Sequence, residues 1–332
     1  MSMAKLKSEI ITLSNDLWWE IPINGIIVID KPGNISSAGV VRFVKKTLKA
    51  KKVGHAGTLD PFAEGVLICC LNQATRLAGF LLHGKKKYAG VLKLGEETDT
   101  QDLTGTSVST GKPVDFSPQT IQNVFRKFEG SIKQLPPVYS ALKHKGIPLY
   151  KLARRGTPIQ KPPRCVRIDN ITIREISLPL IRFEVTCSAG TYIRTLSADI
   201  GKSLGCGGHL TALKRLESSG FTLRQAISLT ELEKLKDSTK LSAHIIPMAD
   251  ALPDMPQLRA GVRLAEKIQQ GKMISSGDLI GSNSIVGAHD AGSEIKVVDW
   301  EGDLIAILKH KKPGHRLAYD CVFPKQYKRH FG

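Results

Sequence analysis

One unbroken apolar run, Val66-Leu67-Ile68-Cys69-Cys70-Leu71, has the length and continuity of a strand buried on both faces, and residues 25–30 predict a further strand. Two other segments alternate. Tyr88, Leu92 and Leu94 share one face of a strand over 88–94, and Ile181, Phe183, Val185 and Cys187 share one face of another. Helical spacing follows Ser36 or Ser37, either of which suits an N-cap, because Val40, Val41, Val44 and Leu48 then fall on one side. Ser117-Pro118 opens a second helix, in which Ile121, Val124, Phe125 and Phe128 keep i, i+3, i+4, i+7 spacing and which Gly130 ends. Beyond Gly190, Ile193, Leu196 and Ile200 mark a third, with Tyr192 and Arg194 in its first turns. The helical pattern fades after residue 246, and Leu252-Pro253-Asp254-Met255-Pro256 reads as a linker. Residues 295–300 and 304–308, joined by Glu301-Gly302-Asp303, then predict a hairpin in a small β-rich unit.

A chain of 332 residues exceeds one average domain. The pattern divides it into an N-terminal extension over 1–24, a catalytic-sized body over 25–246 and a smaller module over 247–332. The extension carries Trp18 and Trp19 but no periodicity. No run approaches the roughly 18 to 20 apolar residues of a membrane span, and the first 24 residues lack a signal-peptide core, so the expected compartment is the cytoplasm.

Charge narrows the class of partner. Lys and Arg number 48 against 30 Asp and Glu, a formal charge of +18, which favours a polyanion, nucleic acid ahead of an acidic membrane surface. The basic residues are not evenly spread. Lys45, Lys46, Lys49, Lys51 and Lys52 lead into a glycine-punctuated loop, and between Lys143 and Arg167 there are eight Lys or Arg and no acid. Pro148, Gly156, Pro158, Pro162 and Pro163 interrupt that second segment, part of an insertion over about 136–167, so it reads as an extended hairpin or mobile loop gripping RNA. The six cysteines show no Cys-x-x-Cys spacing and no histidines at zinc-finger distances; neither a metal nor a structural disulfide is expected, and most should be buried thiols.

The glycine-punctuated loop is Gly54-His55-Ala56-Gly57-Thr58-Leu59-Asp60-Pro61-Phe62-Ala63-Glu64-Gly65. Its glycines allow close backbone approach or positive φ, Pro61 fixes the chain after Asp60, and the buried run that follows places the loop over the core. Asp60 is thereby presented either in a cleft or, as in many Asp-Pro turns, as a cap for backbone amides. Gly201-Lys202-Ser203 is not a phosphate loop, because Leu196 stands where its first glycine would be. No His-Glu-x-x-His, Gly-x-Ser-x-Gly or Gly-x-Gly-x-x-Gly pattern is present, which argues against zinc-protease, serine-hydrolase and dinucleotide chemistry.

This loop resembles the catalytic loop of the TruB-type pseudouridine synthases, and the likeness runs through most of residues 25–217. It takes in Gly25 to Pro32, Lys87-Tyr88 with Leu94-Gly95 and Thr98-Asp99-Thr100, Pro137 to Lys143, Gly190-Thr191-Tyr192-Ile193-Arg194-Thr195, and Leu213-Lys214-Arg215-Leu216. The resemblance implies an α+β pseudouridine synthase fold, with a central mixed, largely antiparallel sheet flanked by helices and a PUA-like RNA-binding domain at the C-terminus. It implies Asp60 as the reactive carboxylate and Arg194 as its cation. Tyr88, Tyr192 and Leu213 would line the pocket of a flipped uridine, and His55 would order the RNA. Asp102 matches an acid of active-site organisation, although its Thr-Asp-Thr-Gln-Asp setting also suits loop capping. Lys31, Lys143, Arg154 and Arg155 are expected to contact RNA. The implied substrate is uridine 55 in the T arm of tRNA, turned into pseudouridine by a cofactor-free monomer with no obligatory protein partner. A guide-RNA-dependent enzyme on ribosomal RNA and a noncatalytic tRNA-folding chaperone are the alternatives.

Overall fold

The computed structural model describes residues 23–110, 113–274, 278, 294–310 and 317–324. All of the extension but Ile23 and Asn24 lies outside them. Among the described residues the central sheet has ten strands. Its spine is formed by β1 (Gly25–Lys31), β3 (Glu64–Leu71), β4 (Lys86–Leu94), β7 (Gly130–Gln134), β10 (Arg164–Ser177), β11 (Leu180–Cys187), β12 (Gly208–Ser218) and β14 (Ile227–Ser228), ordered β14-β1-β3-β12-β4-β11-β10-β7. β2 (Val53–His55) pairs with β3, and β13 (Phe221–Thr222) with β12. Only β14 on β1 and β12 on β3 are parallel, so the sheet is mixed and largely antiparallel. Smaller ribbons are β5 (Glu96–Thr98) with β6 (Ser107–Thr110) and β8 (Lys143–His144) with β9 (Ile147–Pro148).

The unbroken apolar run is the innermost strand. Val66 to Leu71 of β3 are fully buried, between a layer with Ile27, Ile29, Val40 and Val44 on one face and a layer with Ile26, Val28, Ala74 and Leu77 on the other. Two-sided burial is what a strand without polar alternation requires. On the alternating strands, Tyr88, Leu92, Leu94, Ile181, Phe183 and Val185 join a third core.

Register sets the site. Lys31 stands opposite Gly65, Gly65 opposite Arg215, and Arg215 opposite Tyr88, one transverse row across β1, β3, β12 and β4 at the end from which the Asp60 loop departs. Gly65 has φ +98°, and a Cβ there would lie 2.2 Å from the Arg215 carbonyl oxygen, so that crossing accepts only glycine.

Helices α1 (Ser37–Thr47), α2 (Ala78–Leu82), α3 (Pro118–Arg126), α4 (Leu149–Arg154), α5 (Ile193–Leu204), α6 (Leu229–Leu235) and α7 (Val262–Gln269) flank the sheets. Ser36, not Ser37, caps α1, its side chain accepting from the Gly39 amide. α3 ends at Arg126 rather than running to Gly130. Gly130, at φ +90°, opens β7, while Phe128 still packs on the core. The basic insertion, expected as an extended hairpin or mobile loop, is instead the short β8–β9 ribbon followed by α4; Leu149 and Ala153, one turn apart and both buried, give that segment a helical face.

The hairpin of the C-terminal region is β16 (Glu294–Val298) with β17 (Leu304–His310), in a second sheet ordered β15-β16-β17-β18 with β15 (Gln257–Arg259) and β18 (Leu317–Val322). Asp299 shapes its turn by accepting from the Glu301 and Asp303 amides. This sheet packs on the first: Val298, Leu304, Ile307 and Phe323 share a core with Ile26, Val28, Val66 and Ile68, and the Lys296 ammonium donates to the carbonyls of Ala249 and Leu252 at 2.8 Å each. All six cysteines are free, five of them buried and Cys165 exposed. Among the described residues no helix is long and apolar enough to cross a membrane.

Candidate active site

The Asp60 loop is suspended from side chains at both ends. Arg215, fully buried on β12, donates from Nε to the Val66 carbonyl at 2.7 Å and from Nη2 to the Gly57 carbonyl at 3.0 Å. Ser37 donates to the Leu59 carbonyl at 2.9 Å and accepts from the Leu59 amide at 2.8 Å. Lys31 completes the set. Expected to meet RNA, it is instead buried, its ammonium donating to the carbonyls of Pro32, Ile35 and Pro61 at 2.8, 2.7 and 3.1 Å. The inward register opposite Gly65 is what turns it from a surface cation into a loop support. Burial lowers its pKa to about 8, against the charges of Glu64 and Asp60.

Asp60 meets Arg194. The guanidinium donates from Nε to Asp60 Oδ2 at 2.8 Å and from Nη2 to Asp60 Oδ1 at 3.3 Å, a two-point grip across 134 residues of sequence. Its remaining donors go to the Thr100 and Tyr139 carbonyls at 2.8 Å each, and Nη1 lies 3.4 Å from Asp102 Oδ2. Asp102 fills both roles open to it. Oδ2 faces Arg194, while Oδ1 accepts from the Thr100 hydroxyl and from the Thr104 amide and hydroxyl. Arg194 side-chain exposure is 4 % and Asp60 side-chain exposure is 32 %, so the cation is sealed behind the acid and only the acid faces outward.

Two carboxylates share one guanidinium, and the electrostatics follow. Burial raises the Asp60 pKa above the ordinary carboxylate range; Arg194 opposes the rise by charge and hydrogen bonding, Asp102 adds to it, and Lys31 opposes it. Tyr88 is buried opposite Arg215. Burial raises its pKa, with Arg215 opposing, so at neutral pH the phenol keeps its proton and can donate. His55 lies at the foot of the loop on β2, where burial and the Arg215 charge lower its pKa and leave the imidazole neutral; its Nδ1 is buried without a hydrogen-bond partner among the described residues.

Beside the loop opens a groove of about 550 Å³, lined by Phe62 and Glu64 of the loop, by the half-exposed Leu103 and by Leu213 and Lys214 of β12. Leu213 stands opposite Gly90, two residues from the Arg215–Tyr88 pair. Tyr192 caps α5 and so sits two residues from Arg194. The structure thus brings Asp60 and Asp102 together on Arg194, pairs Tyr88 with Arg215, which holds the loop, and puts Leu213 in the adjoining groove. Lys143, Arg154 and Arg155 lie apart, exposed on the insertion, with the Arg154 guanidinium 5.8 Å from the Tyr150 ring centroid.

The sequence assigns Arg215 no role and Ser37 only that of a candidate helix cap. Arg215 belongs to a block that carried a recognisable pattern, but its task depends on a strand pairing that no local signal encodes. Ser37 could have been found: of the two serines available to cap α1, the unused one was free to serve the loop.

Comparison with known proteins fixes the family. The N-terminal domain of the TruB family pseudouridylate synthases matches residues 45–193, and the tRNA pseudouridylate synthase B C-terminal domain matches 194–253. The tRNA pseudouridine synthase B of Geobacter sulfurreducens is 43% identical over 249 residues, 75% of this chain and 82% of the relative. That of Syntrophus aciditrophicus is 38% identical over 296 residues, 89% of this chain and 94% of the relative. Among solved structures, a Cbf5-Nop10-Gar1 complex contains a chain that superposes with TM-score 0.70 at 26% identity, covering 90% of this chain and 85% of that one. With the paired Asp60 and Arg194 at its centre, this chain belongs to the TruB family of pseudouridine synthases.

Proposed function

We propose that this protein isomerises uridine to pseudouridine in the T arm of tRNA, at uridine 55, with Asp60 as the reactive group. The observation that carries the reading is the outward-facing Asp60 carboxylate held at two points by a sealed arginine, in a chain whose full-length relatives are tRNA pseudouridine synthases.

The reaction breaks the bond from C1′ to N1, turns the uracil, joins C5 to C1′, and moves a proton from C5 to N1, with no net redox change. The two tasks open to Asp60, attack as a nucleophile and removal of a proton, both need the carboxylate ionised. Arg194 supplies that condition in a buried site. The uridine must leave its stack, at a cost of a few kcal/mol, offset by contacts in the pocket. Tyr88 and Tyr192 supply aromatic faces for the loose base and Leu213 an apolar wall. His55, neutral, contributes a hydrogen-bonding contact rather than charge. Lys143, Arg154 and Arg155, exposed on an acid-free segment, suit phosphate contacts. The module over 247–332 serves as a PUA-like RNA-binding domain, and the enzyme works in the cytoplasm as a monomer without cofactor or guide.

Incubating the purified protein with an unmodified tRNA transcript, without added metal or nucleotide, and mapping pseudouridine tests this. Conversion at the T-arm uridine by wild type and none by Asp60→Asn is the expected result. RNA binding without conversion would instead favour the guide-dependent or chaperone readings.

A further inference from the structure

The basic insertion hangs from two residues that both hold Tyr192. Gln134 ends β7, Arg164 begins β10, and the two stand directly opposite one another with residues 135–163 looping out between them. Gln134, fully buried, grips the Tyr192 backbone at both poles: Oε1 accepts from its amide at 2.7 Å and Nε2 donates to its carbonyl at 3.0 Å. Arg164 takes the ring. Its Cζ lies 4.5 Å from the Tyr192 ring centroid, within cation–π range, while Nη2 donates to the Gly190 carbonyl. Arg164 Nε is buried without a hydrogen-bond partner, and among the described residues no carboxylate forms an ion pair with the guanidinium. A half-buried cation with these contacts is placed for the aromatic face rather than for an acid.

We propose that Arg164 is a positioning residue for the reaction, acting through Tyr192: it fixes the plane of the ring that walls the uracil pocket, while Gln134 fixes the backbone beneath. The inference rests on the reading of Tyr192 as a pocket residue. It gives the insertion a second task. The strand pair that carries the RNA grip also sets the pocket, and because Tyr192 caps α5, the same clamp anchors the turn that delivers Arg194 to Asp60.

A phosphate contact would make a different prediction, since lysine can replace arginine as a point charge but not as a planar group stacked on a ring. Single-turnover conversion of a tRNA transcript, with rate and half-saturation measured separately, decides between them for Arg164→Lys, Arg164→Met, Tyr192→Leu and the Arg164→Lys/Tyr192→Leu double variant of the full chain. Both Arg164 variants should lose roughly five- to thirty-fold in rate, with half-saturation within about threefold of wild type. The double variant should convert no more slowly than Tyr192→Leu alone, within about twofold, because the ring through which Arg164 acts is gone. Additive losses, or a lysine variant at the wild-type rate while methionine raises half-saturation, would overturn the proposal. Wild-type conversion by Tyr192→Leu would instead remove the reading of Tyr192 on which it rests. Melting temperatures close to wild type, expected for a half-exposed side chain, separate either outcome from loss of fold.

Discussion

Arg194 and Arg215 reach the Asp60 loop from different elements, both buried, and their partners differ in kind. Arg194, from α5, meets two carboxylates and two carbonyls. Arg215, from β12, meets the carbonyls of Val66 and Gly57, and no carboxylate among the described residues forms an ion pair with it. The first arrangement acts on charge, because it opposes the burial that raises the Asp60 pKa. The second governs place: carbonyl groups do not titrate, so Arg215 fixes where the loop runs, whereas Arg194, with Asp102 and Lys31, acts on the acid's protonation. Arg215 also projects a field onto its neighbours, lowering the pKa of His55 and, by charge and a side-chain hydrogen bond, opposing the rise at Tyr88.

Substitutions separate charge from place. Asp60→Asn keeps the shape and removes the anion, so turnover should fall by at least about 10⁴-fold while tRNA affinity holds; comparable turnover by the asparagine enzyme would remove Asp60 from the chemistry. Arg194→Gln should cost about 10² to 10³ in kcat and roughly 3–5 kcal/mol in urea unfolding, because it leaves the buried Asp102 and the partly exposed Asp60 without their cation. Arg215→Lys keeps a charge but loses the fork across the loop. About 2–3 kcal/mol of stability and a roughly 10- to 100-fold fall in kcat are expected from the misplaced loop. Lys31→Met should cost about 1–3 kcal/mol in the same unfolding experiment with tRNA affinity unchanged; a marked loss of affinity would return Lys31 to the RNA surface. Smallest is Arg154→Ala with Arg155→Ala, which should weaken binding several-fold, leave kcat at saturation alone and reduce the salt slope of log K by about 1 to 2.

Legibility in the sequence followed the range of the interaction. β3, β4 and β11 were readable because apolar continuity and alternation are consequences of burial on two faces or one. The loop was readable because glycine and proline act on the backbone locally. Arg194 as a partner of Asp60 came through family likeness; nothing in Tyr-Ile-Arg discloses a partner 134 residues away. Lys31 departs from its expected place on the RNA surface for the same physical reason that conceals the task of Arg215. Both occupy one row with Gly65, and that row exists only once β1, β3 and β12 are paired in register. In the insertion, proline and glycine predict irregular structure, while two buried apolar anchors, Leu149 and Ala153, are enough to give α4 an inward face.

The division of labour between the two arginines is tested most directly by the pH dependence of single-turnover conversion. Activity carried by the Asp60 carboxylate is lost as pH falls through its raised pKa, so the acid limb of wild type should lie above the ordinary carboxylate range. Removing the Arg194 charge raises that pKa further. Arg194→Gln should therefore move the acid limb to higher pH, whereas Arg215→Lys should lower the plateau and leave the limb where wild type has it. A limb that stays fixed in Arg194→Gln, or moves equally in Arg215→Lys, would contradict the assignment of charge to one arginine and place to the other.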